Sequence, residues 1–161
     1  MLGLMIAVII FNLIFWGSKK RLTKIQMVQV WMFTVLFQVL FDIVINIKYG
    51  GYWYFSKGVD WKSAPAYFLL VPPVNLLFLN WYPFKSNLFK QTIYITGYHV
   101  FVLIYELFTL LPEPWGYFHY GWWNIWYSVV LNPFLFVILL VYYKWILKLE
   151  MHSVIEKERF I

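Results

Sequence analysis

The sequence predicts an all-α integral membrane protein: a bundle of five helices, N-terminus outside and C-terminus cytoplasmic. Three observations carry that expectation. The chain is 63% hydrophobic and only 12% charged, whereas a soluble domain is about 45–50% apolar and about 25% charged. It contains five apolar runs near or above the length that crosses a bilayer as a helix, about 17–25 residues. Its basic residues fall on alternate connections between those runs, as cytoplasmic loops require. With 161 residues divided among five crossings, a single transmembrane domain over 1–161 is expected, with no separate soluble domain.

The first helix is predicted over 2–16, close to the short limit for a span. A signal peptide would carry its positive charge before the apolar stretch and small residues at a cleavage site. Here Lys19, Lys20, Arg21 and Lys24 follow the stretch, so a retained helix is expected. The second helix is predicted over 25–47. It carries Gln38, Asp42 and Asn46 at four-residue spacing, which places them on one face. Gln26 and Gln29 fall near its inner end, where lipid headgroups would satisfy them. The connection after it, rich in glycine and in Tyr52, Trp53, Tyr54, Phe55 and Trp61, suits an interfacial aromatic belt.

The third helix is predicted over 65–81 and contains Pro72, Pro73 and Asn75. Proline has no N–H, so continuation of this helix frees the carbonyls of Phe68 and Leu69. The fourth, over 91–111, carries His99 and Glu106 seven residues apart on one face. A second aromatic loop follows, and then a fifth helix over 122–146 with Asn124, Ser128, Asn132 and Pro133. Pro133 frees the carbonyl of Val129 by the same argument. Residues 147–161 read as an amphipathic tail, a helical extension that lies along or leaves the inner surface.

The basic residues test this topology. Lys19, Lys20, Arg21, Lys24, Lys85, Lys90, Lys144, Lys148, Lys157 and Arg159 fall inside, while Lys48, Lys57 and Lys62 fall outside. The inverted topology would reverse that bias. In a chain of this class the net charge of +6 therefore reports topology, and no nucleic-acid partner is expected.

Topology also sets depths. Asp42 lies about 9 Å below the outer end of the second helix, and Glu106 reaches a similar depth on the fourth. A carboxyl group within a spanning helix is costly and marks a protein interior or a wet cavity. The expectation is an outward-facing pocket built on Asp42, Glu106 and the freed carbonyls of Phe68, Leu69 and Val129, with Asn46, Asn75, Ser128 and Asn132 as further binding groups. Most of these are acceptors, so the pocket would bind or conduct a small cation, a protonatable ligand or a proton. His99, deeper in the membrane, offers either a proton relay or a helix-to-helix hydrogen bond to Asn75 or Asn132.

Other classes are excluded or left open. There is no cysteine, which removes disulfides, thiolate metal sites and cysteine nucleophiles. No phosphate-binding glycine loop, HExxH or paired-aspartate pattern occurs, so no cofactor, metal site or catalytic residue is assigned. An enzyme would have to use Asp42, Glu106 and His99 as acids and bases on a lipid or isoprenoid. A structural or regulatory subunit, with a protein partner or a second copy, is the remaining alternative. Membrane lipids are partners in every case.

Three stretches, FDIVINIKYGGYWYF, PPVNLLFLNWYPF, and YELFTLL followed by WWNIWYS, resemble a family of small polytopic membrane proteins from spore-forming Gram-positive bacteria. The resemblance covers most of the chain and implies a bacterial cytoplasmic-membrane location. It carries no activity and no residue roles.

Overall fold

A computed structural model describes the backbone of residues 1–159 and the side chains of residues 1–152. Helix α1 spans Leu2–Gly17 and α2 spans Lys24–Asp42, and α2 runs on as a π-helical segment over Ile43–Lys48. Strand β1 is Tyr52–Trp53. A short turn of 3₁₀ helix at Trp61–Ser63 and a π segment at Ala66–Leu70 lead into α3, Val71–Trp81. Then come α4 at Leu88–Thr109, strand β2 at His119–Tyr120, and α5 at Ile125–Arg159. Four helical stretches are long and apolar enough to cross a membrane: Lys24–Lys48, Trp61–Trp81, Leu88–Thr109 and Ile125–His152, with Leu2–Gly17 shorter.

The five predicted helices are present, with two differences. No glycine or proline interrupts the chain after Ile146, so α5 runs unbroken into the expected helical extension and the boundary predicted at Ile146 is absent. The side chains of residues 153–161, on which most of that expectation rests, lie outside the described residues. The second difference is that the two aromatic loops form an antiparallel two-stranded ladder, β1 with β2.

Helix α3 is the centre. Pro72, Pro73, Leu76, Leu77, Phe78, Leu79 and Asn80 are all buried, whereas α2, α4 and α5 bury one face only. Their outward faces carry exposed Leu36, Leu40, Ile104, Phe134 and Val141, apolar surface that a lipid environment would accept and water would not. Aromatic pairs hold the interior together. Phe33 of α2 stacks on Tyr142 of α5 at 3.9 Å, and Phe78 of α3 stacks on Phe136 of α5 at 4.6 Å.

Polar side chains complete the helix ends. Thr23 and Gln26 form a capping box at the start of α2, each side chain bonding the other's backbone N–H. Gln26 also accepts from the Tyr143 hydroxyl at 3.1 Å and donates to Glu150 at 2.5 Å, both on α5. Protein groups, not headgroups, therefore satisfy it. Asn80, fully buried, accepts from the Arg21 N–H at 2.7 Å and donates to the Lys19 carbonyl, which pins the α1–α2 turn.

The Pro72–Pro73 break behaves as proline chemistry requires, with one correction. The Leu69 carbonyl, left without a helical donor, accepts from Asn12 Nδ2 of α1 at 2.7 Å. It is thus used for helix packing and is not a pocket acceptor. Helix α4 is held to α3 through tyrosine rings: Tyr94 donates to the Phe78 carbonyl and Tyr98 to the Val74 carbonyl, at 2.9 and 2.7 Å. Ring-sized spacers keep the two backbones apart, and that leaves room for internal cavities.

Both long loops lie at one end of the bundle. The Gly51 carbonyl accepts from the N–H groups of Gly121 and Trp123, at 2.8 and 2.9 Å, and so joins the loops beside the ladder. Gly50 makes the turn into β1 at φ +62, a backbone conformation that costs glycine little. The start of α1 reaches the same end, where Gly3 N–H bonds the Pro114 carbonyl at 3.2 Å.

Asp60 orders the 56–63 turn. Its carboxylate accepts from Ser56 Oγ at 2.7 Å and from the Lys62 N–H at 2.9 Å. These bonds, that from Ser56 foremost, hold its pKa below the ordinary aspartate value of about 3.9. A depressed folded-state pKa means that the stabilisation is present above the unfolded value and is lost as pH falls through the folded one. Amide protection at Lys62 and Ser63, compared with Asp60→Asn at each pH, is expected to fall on acidification below about pH 4. Identical pH profiles for the two proteins would rule this out.

Candidate functional site

Asp42 sits where α2 changes from α to π geometry and is almost fully buried at 3% exposure. Its Oδ1 accepts a short hydrogen bond from the Tyr52 hydroxyl of β1, and its Oδ2 is buried without a partner. Asn46, four residues on, is buried too, with Oδ1 unpartnered. Lys48 does not neutralise Asp42; its Nζ lies over the Tyr49 ring, 5.0 Å from the centroid.

Glu106 has a different set of neighbours. Its Oε1 accepts from the Tyr120 hydroxyl of β2 and from Ser128 Oγ of α5, both at 2.6 Å. Ser128 Oγ in turn accepts from Trp123 Nε1 at 3.1 Å, which fixes the direction of the serine hydroxyl. Among the described residues none donates to Oε2.

The two carboxyl groups are connected through the ladder. Tyr52 and Tyr120 are cross-strand partners, one reaching Asp42 and the other Glu106. Burial pushes both tyrosine hydroxyls above their ordinary range, and the neighbouring carboxyls push the same way. Both therefore stay protonated donors near neutrality. Phe118 packs between them, 4.9 Å from the Tyr52 ring and 5.7 Å from the Tyr120 ring.

The single pocket expected from the sequence is divided. Glu106 lines a cavity of about 230 Å³ with Tyr52, Tyr105, Trp123, Ser128 and Asn132. This cavity adjoins a second of similar volume, deeper in the bundle, and they share walls at Phe37, Gln38, Tyr105 and Asn132. The deeper one includes Thr34 and Asn75, and Asn75 donates to Thr34 Oγ1 at 3.2 Å. Asp42 and Asn46 line a separate cavity of about 220 Å³ with Ser63 and Tyr67.

Of the residues singled out from the sequence, Glu106, Ser128, Asn132 and Asn75 thus surround the two adjoining cavities, and Asp42 and Asn46 a third. His99 lines none of these three. It is buried, with Nδ1 unpartnered, and makes no hydrogen bond to Asn75 or Asn132. Sequence reasoning missed Tyr52 and Tyr120, which it left in the aromatic loops, and Tyr67, which it passed over within the third helix. The signal available was a hydroxyl-bearing ring in each loop, but their partners depend on strand pairing.

Among the described residues no three histidine or acidic side chains converge as a metal site. No protein-family model, curated protein or solved structure matches this chain.

Proposed function

We propose that this is a multi-pass protein of a bacterial cytoplasmic membrane, with the ladder end outside, that binds a small protonated amine at Glu106. One observation carries the reading. The carboxyl lines a cavity of about 230 Å³ with Oε2 unengaged, while Ser128 and Tyr120 hold Oε1 in place. An ammonium group would take Oε2, and the ring faces of Tyr105, Phe118 and Trp123 would take the apolar body and add cation–π attraction. The adjoining deeper cavity, with Gln38 and Asn132 at the shared wall, supports inward passage of the same ligand as an extension of this reading. Acid–base catalysis by the two carboxyls on one substrate finds less support, because Asp42 and Glu106 line different cavities.

The test is binding of phenethylammonium and of its neutral alcohol counterpart to the purified protein in nanodiscs, by calorimetry. The amine is expected to bind and the alcohol to bind more weakly. Glu106→Gln, which keeps an acceptor for Tyr120 and Ser128, is expected to weaken the amine at least tenfold, about 1.4 kcal/mol. Equal affinity in the variant would remove Glu106 from the reading.

A second reading rests on the tyrosine bonds themselves. Both carboxyls accept from ladder hydroxyls, which supports a structural role in fastening the loops for a partner subunit or a second copy. It predicts that no amine binds and that Glu106→Gln changes thermal stability alone.

A further inference from the structure

We propose that Asp42 and Asn46 form a second, independent site, which takes a small monovalent metal cation. Two oxygens define it: Asp42 Oδ2 and Asn46 Oδ1, both buried, both without a hydrogen-bond partner, on residues that are 3% and 6% exposed. Buried acceptors of this kind are costly unless a donor or a cation meets them. The two residues are four apart on the face where α2 turns into its π segment, an irregularity frequent at functional sites.

Two further oxygens converge there. The Tyr67 hydroxyl lies close enough to interact with Asp42, Asn46 and Ser63. Ser63 Oγ donates its own proton to the Asp60 carbonyl at 2.6 Å, which leaves its lone pairs free. All four residues line the cavity of about 220 Å³ beneath the 58–64 loop, which gives an ion a route in.

The set has a definite chemical preference. It consists of oxygens alone, which suits a hard cation. It holds one uncommitted carboxylate, because Asp60, which also lines the cavity, is taken by Ser56 Oγ and the Lys62 N–H; a single positive charge balances it. No lysine or arginine among the described residues pairs with Asp42 to do so instead. A divalent ion would want more acidic ligands than converge here. Sodium fits these requirements. Tyr52 takes Asp42 Oδ1, which leaves Oδ2 as the oxygen that a cation would meet. The site shares no ligand with the Glu106 chamber and stands or falls without it.

The experiment is thermal unfolding of the full-length protein in nanodiscs, in sodium chloride against choline chloride at equal ionic strength, with equilibrium binding of radioactive sodium alongside. Wild type and Glu106→Gln are expected to show a Tm that rises with sodium and saturates, and about one bound ion per chain. Asp42→Asn and Asn46→Ala are expected to lose both responses, and Tyr67→Phe to weaken them. Asn46→Asp adds a carboxylate and is expected to keep the sodium response. A wild-type Tm equal in the two salts, with no bound sodium, overturns the proposal. So does a sodium response that survives in Asn46→Ala. If Asn46 instead donates to Asp42, Asn46→Asp lowers Tm equally in both salts, which also overturns it. Should Asp42→Asn fail to fold, Asn46→Ala and Tyr67→Phe decide the matter.

Discussion

Tyr52→Phe is expected to destabilise the protein by about 3 kcal/mol, measured in sodium-free buffer. The phenol makes the short, direct hydrogen bond to Asp42, and the Tyr67 and Gln38 side chains are the carboxyl's weaker polar neighbours. Removing it takes the closest donor from a carboxyl group that is 3% exposed and leaves only the weaker Tyr67 and Gln38 contacts. Hydrogen bonds to charged groups contribute about 1.5–3 kcal/mol, and an orphaned buried charge costs more than the bond is worth. The double variant Asp42→Leu, Tyr52→Phe is expected to lose much less than the sum of its singles, because no buried charge remains. Tyr120→Phe provides the contrast. Ser128 still donates to Glu106 Oε1, so a loss of about 1 kcal/mol is expected. Equal effects of Tyr52→Phe and Tyr120→Phe would show that burial of Asp42 does not set the cost.

Gly121→Ala is expected to separate the two loops and to cost about 3 kcal/mol, the upper range for forced overpacking. A Cβ at this position would lie 2.2 Å from the Gly50 carbonyl oxygen and 3.0 Å from that of Gly51. Both obstacles are backbone, so neither can rotate aside. Relief requires the 121–123 strand end to move, which breaks the bonds of Gly121 and Trp123 to Gly51 and draws Tyr120 away from Glu106. Faster amide exchange at Gly121 and Trp123, with a shift in tryptophan emission, would report it. Gly97→Ala is the control. Nothing lies within 4 Å of its Cβ, and in a helix interior alanine is favoured over glycine by about 1 kcal/mol. Normal exchange at Gly121 and Trp123 in Gly121→Ala would mean that the ladder does not hold the loops.

Several of these features were legible in the sequence because they are local. Apolar run length predicts the helices, and α2 and α3 with its lead-in begin and end within a few residues of the expected bounds. The spacing of Asp42 and Asn46 does put them in one cavity, since four residues is close to one helical turn. Proline chemistry correctly identifies Leu69 as a carbonyl in need of a donor. It cannot say that the donor is Asn12, because that depends on which helix lies beside α3.

The shared depth of Asp42 and Glu106 was legible too, and it led to a single pocket. Depth fixes one coordinate along the bundle but not the direction each side chain takes around it. Glu106 turns to α5 and β2, while Asp42 turns to β1 and the 58–64 loop. His99 shows the same limit. Its depth suggested Asn75 and Asn132 as partners, but Asn75 is bonded to Thr34 on another helix.

By itself the sequence determined the helical and strongly apolar character of the chain, the number of helices and the residues that are anomalous within them. Each follows from interactions along one segment: hydrophobic length, backbone hydrogen bonding and helical period. Only the tertiary structure decided which anomalies share a cavity and which loop tyrosine reaches which carboxyl. The register Tyr52 to Tyr120 makes that assignment. It depends on contacts between segments distant in the chain, whose geometry comes from helix packing and from the Gly51–Gly121 approach.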